Sequence, residues 1–215
     1  MLPKGWTRMP LSACAKFISG NTPSKEDPSL WGGNFPWVTA KDMKSLHVGK
    51  AGICLTEKGK GVACIAPENS ILVLTQGMTL LKDLPICLAS REVAFNQDVK
   101  ALLPSKTINA SFLAYQLITS KKEILDLVDT AGHGTGRLDT DLLKNYEVAI
   151  APLAEQQRIA SILDTSSMEI EAFERYLNIL RTERSALMRQ LLTGKRRVRL
   201  PRDQRHHTHE PLPRP

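Results

Sequence analysis

Between Pro152 and Gly194 the apolar residues keep a seven-residue register. Ile159, Ser166, Phe173, Leu180 and Leu187 share one seam position, and Leu163, Ile170, Leu177, Arg184 and Leu191 share the other. This repeat, with only Ser166 and Arg184 polar, predicts one long coiled-coil helix. Pro152 suits the first helical position, Glu155 puts negative charge in the first turn, and Gly194 stands where a helix-ending glycine belongs. The pattern before Pro152 differs. Short apolar runs at Trp37–Thr39, Ile71–Thr75, Ile86–Ala89 and Val99–Leu103 predict strands. Turn signals separate them at Ser19–Pro28, Gly32–Pro36, Gly59–Gly61, Pro67–Ser70 and Gly132–Gly136. From Asn109 to Asp129 the spacing turns helical, with a break at Ser120-Lys121-Lys122. Asp139 can cap a short helix through Lys144, and Tyr146–Ile150 reads as a last strand.

The fold class expected is α+β: a mixed domain with short strands over residues 1–151, then one long helix over 152–194. Residues 195–215 form a basic tail, rich in Arg, His and Pro, that is expected to be disordered. A helix of that length cannot bury its stripe against a domain of about 150 residues along its whole extent. It calls for a second long helix, and this chain has none. Self-association or a partner helix is expected, with Leu163, Ile170, Phe173, Leu177, Leu180, Leu187 and Leu191 as the interface. A helix folded back over its own domain is the alternative.

Net charge changes little in this picture. The total is +7, but the tail holds +5, residues 152–194 hold −1 and the body holds +3. A mildly basic body permits a nucleic-acid partner without establishing one. The four cysteines, Cys14, Cys54, Cys64 and Cys87, include no CxxC pair, which argues against structural zinc. No apolar run reaches the roughly 20 residues of a membrane span, and the start lacks a signal-peptide pattern, so a cytoplasmic protein is expected.

Catalytic motifs are not found. Gly132-His133-Gly134-Thr135-Gly136 lacks the spacing of a phosphate-binding loop and reads as a flexible loop. His206-His207-Thr208-His209 could hold a metal, but a solvated tail is the plainer reading, and no metal site is assigned. Cys–His chemistry stays open, because such pairs meet only in the fold. The densest signal is Trp31-Gly32-Gly33-Asn34-Phe35-Pro36-Trp37-Val38-Thr39-Ala40-Lys41-Asp42. Its tryptophans can be plain core, whereas Lys41, a cation beside a rigid turn, can meet phosphate or a guanine edge.

That segment, with Ser19-Gly20-Asn21-Thr22-Pro23-Ser24 before it, resembles the opening of a target-recognition domain in specificity subunits of type I restriction-modification enzymes. Further matches follow in order. They are Phe95-Asn96-Gln97-Asp98-Val99-Lys100-Ala101-Leu102, Gly134-Thr135-Gly136, Leu142-Leu143-Lys144-Asn145-Tyr146, Pro152-Leu153-Ala154-Glu155-Gln156-Gln157-Arg158-Ile159-Ala160-Ser161-Ile162-Leu163-Asp164 and Leu191-Leu192-Thr193-Gly194-Lys195. Members of that family usually carry two recognition domains and two antiparallel long helices, so this chain resembles a half-sized subunit.

The resemblance implies a non-catalytic chain that binds double-stranded DNA and reads one half-site. S-adenosylmethionine, ATP and Mg would then be bound by partner modification (methyltransferase) and restriction subunits, and no cofactor by this chain. The DNA contacts expected from the polar loop residues, which the resemblance itself does not fix, are Asn34, Thr39, Lys41, Asp42, Thr135 and Arg137, the alternative being plain exposed polar loops. Leu153, Glu155, Gln156 and Arg158 are the suggested docking surface for the modification subunit, and a homodimer through antiparallel helices would supply the missing half. Two rivals are a free-standing DNA-binding fragment that joins no enzyme and a small Cys/His enzyme.

Overall fold

The computed structural model describes residues 2–131 and 134–198. His133 and the His206–His209 run lie outside the described residues. The expected α+β class is what the chain forms. Short strands make four sheets among the described residues, and one helix, Leu153–Leu192, follows them.

The five-stranded sheet holds the main core. Its order is Ala15–Ser19, Val99–Pro104, Ile71–Leu74, Ile86–Ala89 and His47–Val48, antiparallel except for the last pair. Ile71–Leu74 and Ile86–Ala89 are buried at every residue. Strands covered on both faces read as unbroken apolar runs, which is why these two were legible without alternation. The helix Ala110–Thr119 packs on Ile86–Ala89 through Phe112, Leu113 and Leu117. Asn109 caps it by accepting from the Phe112 N–H, and Trp6 meets the Phe112 ring edge-on at 5.9 Å.

The second sheet orders Cys54–Leu55, Trp31–Val38, Val93–Phe95 and Ile65–Ala66. A two-stranded sheet pairs Thr7–Pro10 with Glu147–Ile150 and so brings the start of the chain beside the entry to the long helix. Val128–Ala131, Thr135–Leu138 and Gln76–Gly77 form the fourth sheet.

Four expectations change. Gly32–Pro36, expected as a turn, lies within the strand Trp31–Val38, whose pairing with Cys54–Leu55 shifts register between Trp31 and Phe35. The helical run after Asn109 stops earlier than expected: helices cover Ala110–Thr119 and Lys121–Leu125, and Val128 and Asp129 lie in a strand. Val128 and Leu138 are register partners there, so tertiary pairing overrides a helix-compatible spacing. The glycine-rich stretch is also less loop-like than expected. Thr135 and Gly136 belong to the strand Thr135–Leu138, and a Cβ at Gly136 would stand 2.7 Å from the Leu80 side chain. That position is glycine because the strand passes close over Leu80. Finally, Gly59–Gly61 lies in the helix Glu57–Val62 rather than a turn. The Thr56 hydroxyl caps it, accepting from the Gly59 N–H.

The long helix spans 40 residues, about 60 Å at 1.5 Å per residue. Its C-terminus closes as the glycine suggested. Gly194 has φ +69°, its N–H reaches the Leu191 carbonyl, and the Arg196 N–H reaches that of Gln190. The chain divides into two compact units, residues 2–164 and a second from Thr165 on.

Candidate nucleic-acid interface

The suggested DNA contacts fall in two places. The first is the strand Trp31–Val38, which carries Asn34, and the turn after it, which carries Thr39, Lys41 and Asp42. Trp37 is 5% exposed and Trp31 is half-buried, their rings meeting edge-on at 5.1 Å. Each indole N–H donates to the backbone of the preceding segment, Trp31 to the Ser24 carbonyl and Trp37 to that of Asn21. The tryptophans therefore set the shape of this loop from its core side. Gly32 takes φ +85°, and a Cβ at Gly33 would collide with the Leu55 carbonyl at 2.3 Å. Between that crossing and Phe35, Asn34 is exposed.

Thr39 and Asp42 are half-buried and hold each other. One Asp42 oxygen accepts from both the Thr39 N–H and the Thr39 hydroxyl at 2.9 Å, and the other accepts from the Gly52 N–H at 2.9 Å. A carboxylate engaged by three donors of its own chain fixes the turn, and the Thr39 hydroxyl uses its one donor on it. These two residues are scaffold. What they hold out is Lys41, which is exposed. Lys58, Lys60, Lys121 and Lys144 are each tied to a carboxylate, but Lys41 joins none of the ion pairs among the described residues.

The second place is the small three-stranded sheet. Thr135 is half-buried in its middle strand and Arg137 is exposed there, outside all the ion pairs of the described residues. Beside Arg137, Gln76, Gln97 and Lys100 line a cleft of about 290 Å³. Its far wall is the helix Thr140–Asn145, capped by Asp139 as its position suggested. Asp139 accepts from the N–H groups of Asp141 and Leu142, and these bonds hold its carboxyl below the usual carboxylate range. Lys100 donates to the Ser19 hydroxyl at 2.8 Å, and its partial burial pulls its pKa down.

Sequence reasoning did not single out Gln76, Gln97 or Lys100 as contacts. Gln97 and Lys100 lie in the Phe95–Leu102 motif, so a signal was present. It was obscured because that motif also does structural work. A Cβ at Gly20 would sit 2.2 Å from the Asn96 carbonyl, the Asn21 N–H donates to the Phe95 carbonyl at 3.1 Å, and the Thr22 hydroxyl donates to the Gln97 side chain.

The suggested docking surface loses one member. Gln156 is 1% exposed, and its side chain accepts from the Asn109 N–H at 2.8 Å and donates to the carbonyls of Ala151 and Thr107 at 2.8 and 3.2 Å. It latches the first turn of the long helix to the domain and is closed to a partner. Leu153, Glu155 and Arg158 remain exposed, with Glu155 accepting from the Trp6 indole at 3.2 Å.

The seam residues from Leu163 to Leu191 are open along the helix. Phe173 is 72%, Ile170 58% and Leu177 45% exposed. Burial pushes the Cys14 and Cys87 thiols up to about 11 and about 12, which keeps both protonated and weakens them as nucleophiles. Among the described residues no three His, Cys, Asp or Glu side chains gather as a metal site, and no helix is long and apolar enough to cross a membrane.

Known proteins share this pattern. A family model of the type I restriction modification DNA specificity domain matches residues 3–181. The EcoR124I/EcoR124II specificity subunit of Escherichia coli is 29% identical over 157 residues, covering 72% of this chain and 39% of that protein. The MjaIX specificity subunit of Methanocaldococcus jannaschii is 26% identical over 170 residues, covering 75% and 38%. The chain thus spans about two-fifths of the length of these relatives. Among solved structures, the HsdS subunit of Thermoanaerobacter tengcongensis superposes with a TM-score of 0.61 at 20% identity, over 82% of this chain and 40% of that one. A chain from a type I restriction-modification complex gives 0.65 at 20% identity, over 87% and 44%. The fold is shared with both. By the match over residues 3–181, this chain belongs to the family of type I restriction-modification DNA specificity domains.

Proposed function

We propose that the chain is the sequence-reading component of a type I restriction-modification enzyme. It reads one half of a bipartite site on double-stranded DNA and contributes no catalytic group. Methylation, with S-adenosylmethionine, and cleavage, with ATP and Mg, belong to partner modification and restriction subunits working in the cytoplasm. Two copies pair through antiparallel long helices, each seam covering the other. Leu153, Glu155 and Arg158, exposed where the helix leaves the domain, are the surface offered to the modification subunit.

The observation that carries this reading is the exposed seam. A family recognition domain is followed by a heptad stripe whose Ile170, Phe173 and Leu177 are open to water. A stripe that apolar and that long is stabilised by a second helix. Pairing two identical chains makes a two-fold axis, and the DNA preferred by a two-fold protein is itself two-fold.

Asn34 on the strand Trp31–Val38 and Lys41 on the turn after it are the contacts proposed at the first of the two places, and Thr135 and Arg137 on the small sheet. Affinity is expected to come largely from phosphates and to fall with salt. The test is selection from a pool of randomised duplexes with the full chain. An inverted repeat separated by a constant gap is expected. Two unrelated half-sites, or no enriched sequence, would overturn the reading.

A further inference from the structure

The three-stranded sheet carries a row that runs across its strands. Arg137 is the register partner of Asp129 on one side and of Gln76 on the other. Register partners project from the same face, with Cβ atoms about 5 Å apart. The neighbours of Arg137 along its strand, Gly136 and Leu138, are buried, Gly136 against Leu80. Alternation therefore turns Asp129, Arg137 and Gln76 to the outer face, and all three are exposed.

Asp139 accepts from two backbone N–H groups while also feeling the Arg137 charge, and Asp141 is paired with Lys144 at 2.9 Å. No ion pair among the described residues takes up Arg137 or Asp129. The row thus offers an acceptor, a planar fork of donors and an amide that is both.

We propose that this row is a reading ribbon laid in the DNA major groove, with Arg137 forked on guanine O6 and N7, Gln76 on an adenine edge and Asp129 accepting from cytosine N4. The inference deepens the proposed function and rests on it. Its dimensions suit the task. Three strands about 4.8 Å apart place the outer two side chains roughly 10 Å from each other, about three base steps at 3.4 Å each. With the strands crossing the major groove, the row follows its base edges, and the three chemistries are those that distinguish bases there. Lys100, across the cleft, is left for a phosphate.

The test uses the full chain and the duplex it selects, with every base pair of one half-site substituted in turn. Arg137→Lys keeps the charge but loses the fork. It is expected to keep overall affinity within a few-fold while flattening preference at one base pair by about 10- to 100-fold. Gln76→Ala and Asp129→Asn are expected to flatten preference at flanking positions. All three sites are exposed, so an unchanged melting curve is expected and excludes misfolding as the cause. Uniform weakening of Arg137→Ala on every duplex, with the salt dependence reduced by about one charge, would make Arg137 a phosphate contact and overturn the ribbon. A parent chain that selects a sequence while all the variants keep its full preference overturns the ribbon alone. A parent chain with no sequence preference overturns the proposed function with it.

Discussion

The first turns of the long helix and the turns beyond Thr165 belong to one helix and meet opposite fates. In the first turns, Gln156 and Ala160 are buried, and Asp164 accepts from the Tyr115 hydroxyl at 3.0 Å. From Thr165 on, the seam is equally apolar and stands open. The first stretch is finished by its own chain. The second leaves Phe173 and Leu177 exposed, and in the proposed pair they would become core. An amphipathic pattern states that a face wants burial, and it does not say against what.

The comparison can be broken most severely at its open end. Leu177→Asp sets an unpaired charge in the seam, where the loss is about 3–5 kcal/mol for each buried uncompensated charge. Sedimentation should show the pair replaced by single chains, with DNA binding lost at low concentration. An unchanged sedimenting species would refute the register.

At the closed end, Gln156→Ala removes the partner of the Asn109 N–H and of two carbonyls, each costing about 1–3 kcal/mol if left dry. Denaturant unfolding should show a loss of about 2–4 kcal/mol with the mass in solution unchanged. Loss of the pair in this variant would mean that latch and seam are one device.

Gly20→Ala probes the recognition domain away from either end. Its Cβ would sit 2.2 Å from the Asn96 carbonyl, so the Ser19–Ser24 segment must shift. About 1–3 kcal/mol of stability should be lost, comparable to overpacking, together with DNA affinity. Wild-type affinity in a destabilised variant would separate that segment from the binding surface.

The smallest effect is expected at Asp139. Its carboxyl is held below 3.8 by the N–H groups it caps, so its stabilisation is full above that value and fades as the pH falls through the lower folded one. Asp139→Ala should lower the melting temperature slightly at pH 7, and the difference from the parent should shrink toward pH 3. A difference independent of pH would mean that the charge of the cap is irrelevant.

The fold was most legible where one local signal acted alone. Ile71–Leu74 and Ile86–Ala89 are unbroken apolar runs, Asp139 and Gly194 are caps, and the heptads extend far enough to define a helix by themselves. It was least legible where a residue answers to something distant. Val128 and Asp129 follow a helix in sequence but pair with Leu138 and Arg137. Thr39 and Asp42 looked like exposed polar contacts, and their shared hydrogen bonds with Gly52, ten residues on from Asp42, make them scaffold. Gln156 belonged to the most family-like stretch, which marks importance without distinguishing a latch from a docking surface. Gln76 was invisible because its value lies in its cross-strand neighbour, Arg137, and no local pattern brings those two together.

The mass of the full chain in solution, by multi-angle light scattering, tests the central claim most directly. Paired helices predict a species of twice 23.9 kDa that persists on dilution to micromolar concentration. A species of 23.9 kDa across that range would contradict it, and the open seam would then belong to a different partner.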